Sequence, residues 1–329
     1  MIMKKKILIC GFGFMGQNHA ATVFNSDDME LVGAVNPPIG RPQKPVTGNL
    51  DVNKFDWNKL ADIPFYMSMP EAFDKCDFDA VLICSPTVWH ASNAIECIKR
   101  GKAVFLEKPL CANSTEAADM IAELEKKNTV FHVGHCVRFF PEYRYLKQLC
   151  RENTCGKLKH LKLVRKTGVP SWGEWKNKDT SIGSVSGPVF DLNIHDVDFA
   201  LHLAGVPQSV DAARETYAEK LFRSHWQYAD GLTVEIEGGF ANQSCYPFRA
   251  GFTAVFEEAV LEFNTLAAQP LVLSNNDKSV PVETDGVDGY FLELRAFADE
   301  LSGKTQEHCS IQEAARAIEY CEKIISCLG

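Results

Sequence analysis

Three groups of residues have the types and spacing to do chemistry on a small ligand. Asp191 and His195 lie four apart in a segment, 189–204, that reads as a helix entered at Pro188 and left at Gly205, so their side chains share a face. A carboxylate beside an imidazole orients the ring and raises its basicity, which suits a proton acceptor near neutral pH. Lys108 follows an apolar run, 103–106, and Pro109 biases it towards extended backbone, so its ammonium belongs where a strand ends and can hydrogen-bond a hydroxyl. The stretch Gly11-Phe12-Gly13-Phe14-Met15-Gly16 follows a strand-like run and opens a helical pattern. There Gly11 permits a tight turn, Gly13 lets backbone approach a pyrophosphate, Gly16 lets helix and strand close up, and the helix start offers N–H groups to phosphate.

Each group also has a plainer reading. A glycine-rich turn can exist without a ligand, a lysine after Glu107 can be a surface ion pair, and Asp196 and Asp198 make the later helix acidic in any case. The Asp191/His195 spacing also suits two metal ligands, yet no H-E-x-x-H or cysteine cluster completes a set, so no metal is expected.

Further residues should border a dinucleotide. An acid about 20 residues beyond the glycines would accept hydrogen bonds from the adenosine ribose. This chain has Asn36 there, which can bond a ribose hydroxyl without repelling a 2′-phosphate, while Arg41 in the next loop can reach one. NAD and NADP therefore both stay open, and Asn36 reads equally well as a turn residue before Pro37. Ser85-Pro86-Thr87 ends a strand and His90 sits one turn into the following helix, at the edge where open α/β sheets bind ligands. His90 is as readily a satisfied helix-start residue. Trp172 and Trp175, within 168–187, suit either a lid over a polyhydroxylated ligand or anchors for a loop.

The elements that must position these residues follow from hydrophobic pattern. Runs at 7–10, 31–35, 64–66, 80–84, 103–106 and 130–133 are mostly uninterrupted apolar segments, as in a parallel sheet buried on both faces. Helical patterns at 87–100, closed by Gly101, and at 114–127, opened by a Ser/Thr cap, lie between them, predicting a doubly wound Rossmann domain over 1–135. The remainder, 136–329, predicts an α+β domain with a large, mostly antiparallel open-faced sheet built from 161–166, 233–236, 252–256, 260–263 and 271–273. Helices are expected at 142–151, 189–204, 289–301 and 311–327, the last two able to pack back on the first domain.

Composition narrows the partners. With 46% hydrophobic and 23% charged residues the chain is an ordinary globular protein, and 329 residues suffice for two cores. A net charge of −9 with scattered lysines and arginines argues against nucleic acid. No apolar run nears the roughly 18 residues of a membrane span, and the lysines and short apolar run of 1–16 read as a first strand rather than a leader. None of the twelve cysteines forms C-x-x-C, and Cys10, Cys84 and Cys97 lie in apolar runs, so free thiols in a reducing cytoplasm are expected.

Five segments together, G-F-G-F-M-G-Q-N-H at 11–19, S-P-T-V-W-H at 85–90, G-K-A-V-F-L-E-K-P-L at 101–110, G-H-C-V-R-F-F-P-E-Y at 134–143 and F-D-L-N-I-H-D-V-D at 190–198, resemble the glucose-fructose oxidoreductase, inositol dehydrogenase and rhizopine-catabolism (Gfo/Idh/MocA) family. The resemblance spans nearly the whole chain, and E-K-P combined with the later D-x-x-x-H is its specific part. It implies NAD(P)-dependent hydride transfer at a hydroxyl-bearing carbon of a sugar or cyclitol, and a homodimer or homotetramer assembled through the second-domain sheet. It also implies His195 as acid/base, Asp191 as its partner, Lys108 as the group polarising the hydroxyl, and Arg138 beside the nicotinamide. Two departures stand out: Asn36 replaces a frequent acid, and Ser-Val-Ser-Gly-Pro at 184–188 replaces the usual glycine run, pointing to an atypical substrate side. An NAD-dependent glycoside hydrolase working through transient oxidation, and a non-catalytic sugar-binding regulator, are the other activities this architecture allows.

Overall fold

Strands that are apolar along their whole length are stable only when both faces are covered, and the first of the chain's two units meets that condition. The computed structural model describes residues 4–43, 45–46, 56–170, 175 and 177–329. Its two units are Met1–His135 with Tyr290–Ala315, and Cys136–Gly289 with Arg316–Gly329.

In the first unit, β1 (Lys5–Cys10), α1 (Phe14–Phe24), β2 (Met29–Val35), β3 (Phe65–Tyr66), α2 (Met69–Lys75), β4 (Ala80–Ile83), α3 (His90–Lys99), β5 (Ala103–Glu107), α4 (Ser114–Leu124) and β6 (Phe131–Gly134) follow one another. The six strands form a parallel sheet in the order β3-β2-β1-β4-β5-β6, so strands are added outward on one side of β1 up to β3 and on its other side from β4 onward. Ile7, Ile9, Ala34, Leu82 and Phe105 pack with Phe12, Val23 and Phe297 in one core. Each such side chain contributes roughly 1.5–3 kcal/mol by leaving water. Helix α2, which precedes β4, is capped by Ser68, whose hydroxyl accepts from the Glu71 N–H. Asn113, rather than the expected Ser114, caps α4 by accepting from the Glu116 N–H at 3.0 Å; an amide oxygen reaches that N–H as well as a hydroxyl does.

The second unit carries α5 (Pro141–Glu152), β7 (Leu158–Gly168), α6 (Ile194–Ala204), and seven further strands: β8 (Ser209–Glu215), β9 (Ala218–Gln227), β10 (Thr233–Ala241), β11 (Arg249–Phe256), β12 (Val260–Asn264), β13 (Leu271–Ser274) and β14 (Ser279–Pro281). Their order is β14-β13-β12-β11-β7-β10-β9-β8, antiparallel except where β7 runs alongside β10. The helices α7 (Gly289–Leu301) and α8 (Ile311–Leu328) end the chain. Along β7, Leu161, Leu163 and Arg165 point to the buried face, where Phe222, Trp226, Ile236, Phe240 and Phe252 complete the core. Strands β8 and β9 add to the sheet expected from sequence. No described helix is long and apolar enough to cross a membrane. All twelve cysteines are free thiols, and burial pushes that of Cys10 up to about 12.

Candidate active site

At the carboxyl edge of the parallel sheet, the chain leaves β1 through Gly11 at a φ of 94°, a conformation suited to glycine, and a Cβ there would meet the Cys84 backbone. A Cβ on Gly16 would run into the Gly11 carbonyl oxygen, so the first turn of α1 lies directly on the loop. Gly13 is different: it is exposed, nothing lies within 4 Å of where its Cβ would be, and no side chain caps the helix it begins. Phe14 and Met15 continue it half-buried. An open glycine over the first N–H groups of a helix is a cradle that fits a pyrophosphate.

Phe12 points the other way. Its ring is buried edge-on against Phe65, and its N–H donates to the Asn36 side-chain oxygen at 3.2 Å. Asn36 in turn donates its amide to the Gly40 carbonyl at 2.7 Å, so both ends of this side chain brace the loops around the cradle. Arg41 folds back: its guanidinium donates to the Leu60 and Ile63 carbonyls and lies 5.2 Å from the Phe65 ring centre. The Phe12 side chain and the Arg41 guanidinium are thus turned inward, held by core packing and by the Leu60 and Ile63 carbonyls.

On the neighbouring strand ends, Ser85 and Pro86 follow β4, and Asn93 donates to the Ser85 hydroxyl at 3.3 Å. His90 is 1% exposed and each ring nitrogen lies 2.7 Å from a carbonyl oxygen, Nδ1 from Pro109 and Nε2 from Ser85. Burial lowers its pKa, against the pull of the two carbonyls towards a protonated ring. Glu107 ends β5, buried, and Lys108 is the half-buried residue that follows. His19, which ends the G-F-G-F-M-G-Q-N-H segment, lies fully buried against Glu107, 2.6 Å away. The sequence signal is an imidazole midway along α1; its partner, 88 residues on, cannot be paired with it by spacing.

In the second unit, the helix bearing Asp191 and His195 starts as a π-helical turn, Pro188–Asn193, and becomes α at Ile194. The wider turn fits where a Cβ on Gly238 of β10 would collide with the Asn193 side chain. Asp191 and His195 straddle the π-to-α junction and are half-buried, whereas Asn193, Ile194 and 196–200 are buried. The flanking acids are held in place: Asp196 accepts from Arg165 Nε and Nη2 at 3.0 and 3.1 Å, and Asp198 from Arg138 Nε and Nη2 at 2.8 and 2.7 Å. Arg138, expected beside the nicotinamide, thus spends one edge of its guanidinium on a buried, bidentate carboxylate pair. Arg165 and Tyr143, 3.3 Å apart, were not identified from sequence, since an arginine in an alternating strand does not reveal which face it takes. Trp175 is half-buried with the Lys178 ammonium 4.2 Å from its ring centre, and Trp172 lies outside the described residues.

The chain is similar to known proteins in sequence and fold. Residues 5–135 match the NAD-binding Rossmann-fold domain of the Gfo/Idh/MocA oxidoreductase family, and 143–262 match a C-terminal domain of the same family. A myo-inositol 2-dehydrogenase of Thermotoga maritima is 30% identical over 203 residues, 61% of this chain but only 55% of that enzyme. The NAD(+)-linked scyllo-inositol 2-dehydrogenase of Bacillus subtilis is 26% identical over 90% of this chain and 86% of its own. The crystal structure of a myo-inositol 2-dehydrogenase from Lactobacillus plantarum has the same fold, with a TM-score of 0.78 at 20% identity over 98% of this chain and 97% of that one. With both of its domains matched in order, the chain belongs to the Gfo/Idh/MocA family of oxidoreductases.

Proposed function

We propose that the protein is an NAD(P)-dependent dehydrogenase acting on a secondary hydroxyl of a cyclitol, a sugar or a related small molecule. The observation that carries this reading is the convergence at one sheet edge of the open Gly13 cradle after β1, Ser85 and Pro86 after β4, and Lys108 after β5, three strands adjacent in the sheet. When bound, the dinucleotide supplies the hydride acceptor; its pyrophosphate fits the Gly11–Gly16 turn. Lys108 hydrogen-bonds the substrate oxygen and steadies it as the carbonyl forms. His195 takes the hydroxyl proton, and Asp191 orients the ring for that transfer. Arg165 and Arg138 keep Asp196 and Asp198 turned away, which leaves Asp191 as the half-buried carboxylate of this stretch.

Asn36 puts no carboxylate in the loop after β2, so nothing at that position repels a 2′-phosphate, and both dinucleotides belong in the test. The similarity to inositol dehydrogenases puts cyclitols first among substrates. The eight-stranded sheet carries interlaced Lys162, Lys166, Glu235 and Glu237, a face of both signs that can pair with a second copy about a two-fold axis. Sedimentation at raised salt tests that pairing.

Thermal-shift titration with NAD and NADP, followed by inositol isomers and sugars with the tighter cofactor, tests the activity. Reduced nicotinamide should appear, and Lys108→Ala or His195→Ala should lower turnover by about 10²- to 10⁴-fold with the cofactor-induced shift retained. Turnover unchanged in either variant sinks that residue's role, and sugar release without net reduction would make the chain a hydrolase.

A further inference from the structure

Lys108 sits between two chain neighbours that are both held from behind. The carboxylate of Glu107, 6% exposed, receives the fully buried His19 at 2.6 Å on Oε1 and the Lys108 N–H at 3.2 Å on Oε2. His19 is the sixth residue of α1, the helix whose first turn forms the cradle, and Phe105 meets its ring edge-on at 5.2 Å. His90 Nδ1 lies 2.7 Å from the Pro109 carbonyl and Nε2 lies 2.7 Å from the Ser85 carbonyl at the end of the neighbouring strand; with its proton on Nδ1 the neutral ring donates to Pro109. Two imidazoles from two different helices thus fix the residues before and after one lysine.

The His19 ring indicates which atoms do the holding. No hydrogen-bond partner for its Nδ1 is present among the described residues, and an N–H there would be buried unpaired. With the ring proton on Nε2, that nitrogen donates to Glu107 Oε1 and no N–H is left buried without a partner. The Glu107 carboxylate then bridges α1 and the Lys108 turn.

We infer that His19 and His90 are positioning residues that fix the Lys108 ammonium by gripping Glu107 and Pro109. His19 does so from the helix that begins at the dinucleotide cradle, so the lysine and the cofactor loop share one rigid support. Neither histidine needs to touch substrate. The inference rests on the reading of Lys108 as the residue that binds the reacting oxygen.

Other ionisable groups face the same carboxylate and share its field. Glu293 of α7 brings a carboxylate oxygen within 4.8 Å of the His19 and Glu107 ligand atoms, Cys84 and His90 lie close enough to interact with Glu107 electrostatically, and His90 also feels Lys108. A test must therefore read Lys108 itself as well as turnover.

Trace acetylation of the intact protein with acetic anhydride across a pH series, quantified at Lys108 by mass spectrometry, gives the titration midpoint of that amine without any substrate. His19→Leu and His90→Leu should each move the midpoint by about half a pH unit or more, because the ammonium no longer keeps its place relative to Glu107. Glu107→Gln, which removes a neighbouring negative charge, should move it downward. With a substrate from the cyclitol panel, each leucine variant should lose about tenfold or more in kcat with a much smaller change in KM for the dinucleotide. His19→Gln and His90→Gln, which each keep an N–H donor, should recover part of the loss.

Midpoints and kcat that stay at wild-type values in folded leucine variants overturn the inference. So does a Glu107→Gln midpoint that does not move, a measurement that stands even if the leucine variants fail to fold. Loss of cooperative unfolding in all three variants would also overturn it, by making the contacts purely structural. If Lys108→Ala keeps full turnover while the midpoints shift as expected, the positioning stands and the catalytic reading of Lys108 falls.

Discussion

In the six-stranded sheet the ionisable side chains lie at or beside strand ends: Lys5 and Lys6 begin β1, and Glu107 closes β5 with Lys108 just beyond it. In the eight-stranded sheet they run through the strands, with Arg165 on the covered face and Lys162, Lys166, Glu235 and Glu237 interlaced between β7 and β10. A parallel sheet covered on both sides has no interior place for a charge, so its chemistry is pushed to the rim, where helix starts and strand ends leave polar backbone groups. A sheet with one covered face can take a charge inside when the covering helix returns the opposite one. Asp196, from the helix beginning at Ile194, does this for Arg165.

The strongest way to break this comparison is to remove Arg165. Arg165→Leu leaves the Asp196 carboxylate buried with only Asn193 remaining, and should destabilise the second unit by about 3–5 kcal/mol in urea unfolding. Replacing both partners, Arg165→Leu with Asp196→Leu, should restore much of that loss, since neither charge is then stranded. A single variant within about 1 kcal/mol of wild type would mean that water already reaches the pair.

A second test concerns the first unit, where one buried imidazole, His132 in β6, does sit inside the sheet edge. Its Nε2 lies 2.7 Å from Glu300, and its ring stacks at 4.1 Å on His308. Burial lowers its pKa to about 4, only partly opposed by Glu300. In the unfolded chain the ring titrates near 6.5, so between these values the unfolded state binds more protons. The stability from keeping this ring neutral is full above about pH 6.5 and drains as pH falls towards 4. Lowering the pH from about 7 to about 5 should cost the unit about 2 kcal/mol, and His132→Gln should flatten that dependence. An unchanged slope in the variant would assign the acid sensitivity to another group.

The same contrast explains what could be read from sequence. Strands β1, β2, β4, β5 and β6 are legible because burial on both faces makes them mostly apolar runs, broken only by single residues such as Glu30 and His132 or at strand ends. Strands β8 and β9 are not, because Leu221 and Phe222 are both buried in succession and charged residues occupy the neighbouring positions, which breaks the two-residue alternation. The seven-residue α2 is too short to show a period, although Ser68 and Glu71 mark its start. Helical spacing located Asp191 and His195 but could not show the π turn, which answers to the packing of Asn193 on Gly238. Glycine and E-K-P spacing located the cradle and Lys108. His19 and His90 gain their places only when strands distant in sequence bring Glu107 and Pro109 to them.

The smallest expected effect lies on the charged face of the second sheet, where the comparison is sharpened rather than broken. Burial acts to raise the Glu237 pKa, but hydrogen bonds from the ammonium groups of Lys162 and Lys166 outweigh it and hold the carboxyl at about 2. The folded value lies below the unfolded one of about 4.5, so the contribution is present above pH 4.5 and is lost as pH falls through about 2. Solvent screening and the entropy of two long lysines limit it to about 1 kcal/mol. Glu237→Gln should therefore lower stability by about that amount near pH 6, less in high salt, and match wild type near pH 2. Arg165 lies on the opposite face of β7 from Lys162 and Lys166, and its replacement should show neither the salt dependence nor the convergence in acid if burial, rather than charge count, sets the worth of an ion pair here.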